Sequence, residues 1–153
     1  MSTLRRTIAA AAAGISVAAL GQSSAVASVQ WANDTFVICA PSPYNYHEAP
    51  GWPCVNRSSG GIVWNNRTAQ IQGAVYDDSH LQSTTVVYFE ALAGNTLVES
   101  TNRRSERGPV SFNFPIGDTN LVGGIDLVRI KVCHYRPTDT LGKCTLQYNL
   151  RRN

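Results

Sequence analysis

Short alternating runs of apolar and polar residues recur along the chain after Ser28, and no stretch there has the apolar spacing of a helix. Thr68–Tyr76 is the clearest example, because Ile71, Gly73 and Val75 lie on one face of an extended chain and polar or small residues lie on the other. Runs of this kind, separated by Gly, Pro, Asn and Asp, predict strands that each bury one face. We therefore expect an all-β chain.

Seven or eight such segments predict an antiparallel, immunoglobulin-like β-sandwich with two disulfides. The segments are Asp34–Cys39, Gly61–Trp64, Thr68–Tyr76, Thr84–Leu92, Thr96–Ser100, Val110–Phe114, Ile125–Cys133 and Cys144–Leu150. Ala93-Gly94-Asn95 is a turn signal, so the two segments that flank it are expected to form a hairpin. The predicted core consists of Val37, Ile71, Val75, Val87, Phe89, Val110, Phe112, Phe114, Val128, Ile130 and Val132.

The first 27 residues have the layout of a secretory signal peptide. Arg5-Arg6 is followed by 13 uncharged residues from Ile8 to Leu20, and small residues precede a cleavage position after Ala27. The uncharged run is shorter than the ~20 apolar residues that a membrane span needs. We predict a signal peptide over 1–27 and one secreted domain over 28–153, with both general secretion and the twin-arginine route open.

The charge balance changes when the leader is removed. Arg5 and Arg6 leave with it, so 13 basic residues become 11 against 10 acidic ones. An electrostatic nucleic-acid binder needs a strong basic excess on one face. We therefore expect no nucleic-acid partner. We also expect a monomer without membrane attachment after cleavage, and without a cofactor or metal.

Four cysteines in an exported chain predict two disulfides. Three pairings are open, and because the two pairs are separated by most of the chain we predict the local ones, Cys39–Cys54 and Cys133–Cys144. A bridge from Cys39 to Cys133 or Cys144 would overturn this prediction. The C-x₂₋₄-C spacing of a zinc site is absent.

The loop that Cys39 and Cys54 would close, residues 40–53, is the most unusual segment. It contains four Pro and three aromatic residues. Pro and a disulfide lower the entropy that a loop loses on binding, and Tyr and Trp dominate interface hot spots. We hypothesise a recognition loop; the alternative is that its rings cap one open end of the sandwich. The candidate contact residues in the loop are Tyr44, Tyr46, His47 and Trp52.

Trp64 is a further candidate for binding. A carbohydrate-binding face requires exposed, coplanar rings, and Trp52 and Trp64 could supply them. A position in the core or at its rim is the alternative for each ring.

Two clusters could carry acid–base or metal chemistry. His47-Glu48 lacks a recognisable nucleophile nearby, and the G-x-S-x-G elbow of many hydrolases is absent. Asp77-Asp78-Ser79-His80 could contribute metal ligands, but Asp and Ser in such a run are also typical of a turn. We predict no catalytic residue, with His47 or His80 beside a carboxylate as the alternative.

Segment 102–108 contains three Arg and could meet an anionic group, although a solvated hairpin turn is the simpler interpretation. His134, beside Cys133, is expected at the edge of the last hairpin.

Two strand sequences, Arg67–Asp77 and Gly123–Cys133, together with the leader, resemble small secreted actinobacterial β-proteins. The resemblance implies an exported sandwich that is held by disulfides. No catalytic residue and no ligand can be carried over from these proteins to this chain.

The function that we predict is that of a secreted, non-enzymatic binding module. It would recognise an extracellular protein or a cell-surface glycan through the disulfide-closed aromatic loop. A secreted protease inhibitor and a small extracellular hydrolase that uses His47 or His80 are the alternatives.

Overall fold

The computed structural model describes residues 33–41, 54–77, 82–137 and 142–153. Within these ranges the chain forms nine strands and no helix. The strands are β1 (Asp34–Cys39), β2 (Arg57–Trp64), β3 (Ala69–Asp77), β4 (Thr84–Ala93), β5 (Thr96–Ser105), β6 (Gly108–Ile116), β7 (Leu127–Tyr135), β8 (Lys143–Cys144) and β9 (Tyr148–Arg151). The predicted signal peptide, residues 1–27, lies outside the described residues. The described residues therefore contain no helix that could cross a membrane.

The strands form two antiparallel sheets. The first sheet has the order β1-β2-β3-β6, and the second has the order β5-β4-β7, with β8 and β9 both pairing with β7. The all-β, antiparallel prediction is confirmed. The strand count is nine instead of seven or eight, because the predicted segment Cys144–Leu150 is divided between β8 and β9, which pair with different parts of β7.

A cluster of four phenylalanines joins the inner faces of the two sheets, and we call it the aromatic centre. Phe89 of β4 contacts Phe36, Phe112 and Phe114 of the first sheet, with ring centroids 6.2, 5.4 and 5.4 Å apart. The rings meet edge to face, which is a favourable geometry for aromatic pairs. The two sheets therefore share one hydrophobic core, in which Phe89 is fully buried.

Two glycines make room for this aromatic centre. Gly60 and Gly73 are register partners in β2 and β3, flanked by Phe36 on β1 and Phe112 on β6. A Cβ at Gly73 would overlap the carbonyl oxygen of Ser59, because the two strands approach closely here. The row Phe36-Gly60-Gly73-Phe112 has no side chain in its middle, and Phe89 packs between the two flanking rings.

The predicted core is confirmed except at two valines. Val37 is 59% exposed and Val110 is 40% exposed. In β1 the opposite parity is observed, since Phe36 and Ile38 point inward and Val37 outward. Val110 has the predicted parity, but it lies near the start of β6, at the edge of its sheet, where less of the second sheet covers it.

Candidate functional site

The stem of the predicted recognition loop is fixed by the first disulfide. Cys39 ends β1 and is bonded to Cys54, with Cα atoms 5.8 Å apart, so the predicted pairing is confirmed. The amide of Ala40 donates a hydrogen bond to the carbonyl of Asn56 at 2.8 Å, which extends the pairing beyond β1. Cys39 and Cys54, which flank segment 40–53, are thus held side by side.

Arg57 stabilises this stem through two further contacts. Its Nη1 donates to the Cys54 carbonyl at 2.7 Å, and its guanidinium carbon lies 4.0 Å from the centroid of the Tyr76 ring. Arg57 is only 9% exposed, so both contacts are largely shielded from water. The cation–π contact and the hydrogen bond join the loop stem to β3 as well as to β2.

Four candidate contact residues, Tyr44, Tyr46, His47 and Trp52, lie outside the described residues. Trp64 is described, and it is 4% exposed within the core cluster. Its indole N–H donates to Asp34 Oδ2 at 2.6 Å. An exposed Trp64 ring for carbohydrate binding is therefore a wrong expectation. Alternation along β2 places Trp64 on the same inward face as Ile62.

A group of buried polar side chains lies at the end of the core nearest this stem, and we call it the polar end. Asp77 directly follows Tyr76, on which Arg57 stacks, and is 3% exposed. Its Oδ1 accepts a hydrogen bond from the Thr85 hydroxyl at 2.6 Å. The Ser83 hydroxyl lies 3.2 Å from both carboxylate oxygens. The polar end thus ties β3 of the first sheet to β4 of the second.

His134 pairs with Lys143 in the last hairpin, as expected, but it is also buried and belongs to the polar end. It is 2% exposed and is the register partner of Thr85 in β7. Ser105, the partner of Thr85 on the other side, donates its hydroxyl to the Gly108 carbonyl at 2.6 Å. The burial of His134 has a simple cause, since Val132 and Val128 on the same face of β7 point into the core and His134 continues their row.

The residues that a hydrolase would need are only partly described. His47, Glu48, Asp78, Ser79 and His80 lie outside the described residues. Within the described ranges, no three His, Cys, Asp or Glu residues are grouped so as to hold a metal ion.

The basic segment 102–108 spans the end of β5 and the start of β6. Arg103 lies over the Phe114 ring at 3.9 Å and bonds Thr101 and the Asn102 carbonyl. Arg104 forms an ion pair with Glu106, and both side chains are mostly exposed. Arg103 and Arg104 therefore make separate contacts instead of converging on one anion. The hairpin interpretation is wrong, because β5 and β6 belong to different sheets and segment 102–108 connects the two sheets.

The second disulfide, Cys133–Cys144, is also the predicted one. The two cysteines are register partners in β7 and β8, so the bridge closes the base of the last hairpin.

Sequence reasoning missed a pair of tyrosines on the outer face of the second sheet. The hydroxyls of Tyr88 and Tyr135 lie 3.0 Å apart, and Lys131 Nζ lies 5.2 Å from the centroid of the Tyr88 ring. The hydrogen bond to Tyr135, together with partial burial, raises the pKa of Tyr88 to about 12. Alternation in β4 and β7 does place these residues outward, but nothing in the sequence pairs them.

No family model, no curated protein and no solved structure matches this chain.

Proposed function

We propose that the protein is an extracellular binding module that recognises its partner through the loop between Cys39 and Cys54. The partner would be a protein or a cell-surface glycan. Tyr44, Tyr46, His47 and Trp52 are the residues that would make the contact. The proposal includes export through the N-terminal signal peptide and an immunoglobulin-like arrangement of the two sheets.

The observation that carries the proposal is that the loop stem is held both by a disulfide and by the contacts of Arg57. The Cys39–Cys54 disulfide closes the stem covalently, and Arg57 bonds the Cys54 carbonyl while it stacks on Tyr76. A loop whose ends are already fixed loses less conformational entropy on binding than a free segment does. Tyr and Trp then offer large contact areas with few rotatable bonds.

The two disulfides support the extracellular part of the proposal. Disulfides persist in oxidising compartments and are rare in the cytosol.

The polar end next to the stem supports a fixed position for the loop. The Thr85 hydroxyl donates a directional hydrogen bond to Asp77, which fixes how the two sheets meet at this end.

The test is affinity capture by the mature chain, residues 28–153, from extracellular material and cell walls of the producing organism. Trp52→Ala removes the largest ring of the loop, and we expect it to lower capture of the specific partner at least tenfold, as for a hot-spot residue. Capture of an extracellular protease, with inhibition of its activity, would identify the inhibitor form of the same proposal.

Matched controls separate a lost contact from a lost fold. Leu146→Ala removes an exposed apolar side chain (92% exposed) between β8 and β9, outside the loop sequence, and should leave capture unchanged. The thermal unfolding midpoint of Trp52→Ala should stay close to that of the parent protein. Equal capture by the parent and Trp52→Ala proteins would refute the loop as the contact surface.

A further inference from the structure

The outer face of the second sheet contains a groove with a volume of about 220 Å³. Tyr88, Asn102 and Lys131 form one row across β5, β4 and β7, and Ser100 and Glu90 are partners in the next row. The groove lies between these two rows. Its volume is below the roughly 300–1,000 Å³ that is typical for drug-sized ligands, and it suits one sugar-sized unit of a longer chain.

The aromatic wall of the groove is held in place before any ligand binds. The Tyr88 hydroxyl pairs with that of Tyr135 at 3.0 Å. A Cβ at Gly142 would overlap the Tyr135 ring, so the glycine backbone packs directly on that ring. The Tyr88 hydroxyl is neutral at physiological pH, as for any tyrosine whose pKa is about 10 or higher, and remains a hydrogen-bonding group. A fixed wall lowers the entropy cost of binding.

Among the described residues, the charges around the groove leave one cation without a counterion. Glu90 and Arg129 form an ion pair at 3.3 Å and largely neutralise each other. Lys131 has no carboxylate within ion-pair distance among the described residues, and its ammonium is positioned by the Tyr88 ring. Ser100 and Asn102 add an exposed hydroxyl and an exposed amide. The groove lining thus combines the Lys131 ammonium with hydroxyl and amide groups, and its one carboxylate, Glu90, is paired with Arg129.

This combination determines the class of ligand. A polyhydroxylated ring matches the hydroxyl and amide groups, and a single carboxylate matches a single ammonium. A phosphate monoester carries close to two negative charges and is typically bound by Arg forks or several amides. We propose that this groove, bounded by Tyr88, Asn102 and Lys131, binds a uronic-acid unit of an acidic polysaccharide, with Lys131 facing its carboxylate.

The groove is independent of the disulfide-closed loop. Tyr88 and Lys131 lie on the outer face of the second sheet, whereas Cys39 and Cys54 lie at one end of the first. A failure of either proposal therefore leaves the other standing, and separate variants test the two.

The experiment titrates the mature protein with short oligomers of glucuronate, galacturonate, mannuronate and guluronate. The neutral hexose oligomers of the same length are the comparison. Backbone amide chemical shifts locate the contact, and calorimetry measures affinity. We expect at least one uronate oligomer to bind, to shift the amides of Tyr88, Asn102 and Lys131, and to bind at least tenfold more tightly than its neutral counterpart. Added salt should weaken this binding, because the ammonium is near the surface.

Lys131→Met is the decisive variant, because Met keeps the length of the side chain without its charge. We expect it to lower uronate affinity about tenfold or more and to remove the preference over the neutral oligomer. Lys143→Met is the matched control, since Lys143 is the other lysine of the chain and lies on β8. Uronate binding should survive in Lys143→Met.

Three results would overturn the proposal. The first is the absence of binding by every uronate oligomer at millimolar concentration. The second is an unchanged affinity in Lys131→Met. The third is a set of shifted amides that lies away from the groove.

Discussion

The aromatic centre and the polar end belong to the same core, yet different forces hold the sheets together in each. In the aromatic centre, Phe89 packs between two rings above a pair of glycines, so volume and shape determine the contact energy. At the polar end, Asp77 accepts hydrogen bonds from buried hydroxyls, so direction and partner identity determine it. Apolar packing tolerates exchange of similar volumes, whereas a buried hydrogen bond specifies its partner. The specific contacts are therefore next to the loop stem.

Phe89→Ala should have the largest effect on stability. The substitution removes a fully buried ring that contacts three other rings, and a cavity would remain between the sheets. We expect the free energy of unfolding to fall by about 3–5 kcal/mol, measured by urea denaturation. Phe89→Leu keeps much of the side-chain volume, so the free energy of unfolding should fall clearly less than for Phe89→Ala. Equal losses for Ala and Leu would show that volume does not govern the aromatic centre.

Gly73→Ala tests the close approach of β2 and β3 beneath the aromatic centre. The added Cβ would overlap the backbone of Ser59, which no side-chain rotation can relieve. We expect a loss of about 3 kcal/mol, at the upper end of the usual range for overpacking. Gly61→Ala, on the opposite face of β2, meets only the Asp34 carbonyl at 3.3 Å and should cost less. A neutral Gly73→Ala would contradict the proposed packing.

Asp77→Ala should have a smaller effect at the polar end. It leaves the buried hydroxyls of Thr85 and Ser83 without their acceptor, at a cost of about 1–3 kcal/mol. Thr85→Val removes the partner hydroxyl while it keeps the shape of the side chain. A double-mutant cycle in thermal denaturation should give a coupling energy of about 1 kcal/mol between the two positions. Strict additivity would mean that this hydrogen bond does not hold the sheets together.

Tyr135→Phe, on the outer face of β7, should have the smallest effect. Tyr88 has a pKa of about 12 instead of 10.0 because its neutral hydroxyl bonds Tyr135. The contribution of this hydrogen bond to the free energy of unfolding is complete below pH 10 and is lost as the pH rises toward 12. Without the Tyr135 hydroxyl, the pKa of Tyr88 should fall toward 10. At neutral pH we expect a loss of only about 0.5 kcal/mol, since the pair is partly exposed.

The absorbance of tyrosinate during a pH titration measures this shift. In the parent protein the last tyrosines to ionise should include Tyr88, and in Tyr135→Phe that late step should move to lower pH. An identical titration curve for the two proteins, with the fold intact, would show that the two hydroxyls do not interact.

Strands with strict alternation were predictable from the sequence. In β3, Ile71 and Val75 alternate with polar or small residues, and in β7 the valines alternate with Arg129 and Lys131, so only one face could be buried. The local pairing of Cys133 with Cys144 followed from their separation and is confirmed. These inferences depend on neighbours in the chain, which the sequence displays directly.

The failures occur where the neighbours are distant in the chain. The run Phe36-Val37-Ile38 is apolar on both faces, so its parity depends on pairing with β2, where Gly60 lies opposite Phe36. His134 is a polar residue, so its sequence does not predict burial. Its alignment with Thr85 places it at the buried polar end of the core. Trp64 is buried with its N–H bonded to Asp34, thirty positions away.

The sequence by itself determined the antiparallel β class, the two local disulfides and most of the core, because alternation and cysteine spacing are local properties. The tertiary structure alone decided which polar residues meet. It placed Asp77 against Thr85 at the polar end, and it brought Tyr88, Tyr135 and Lys131 together on one outer face. The physical reason is that hydrogen bonds and ion–ring contacts act over a few ångströms. Only the register between strands brings such residues within that distance.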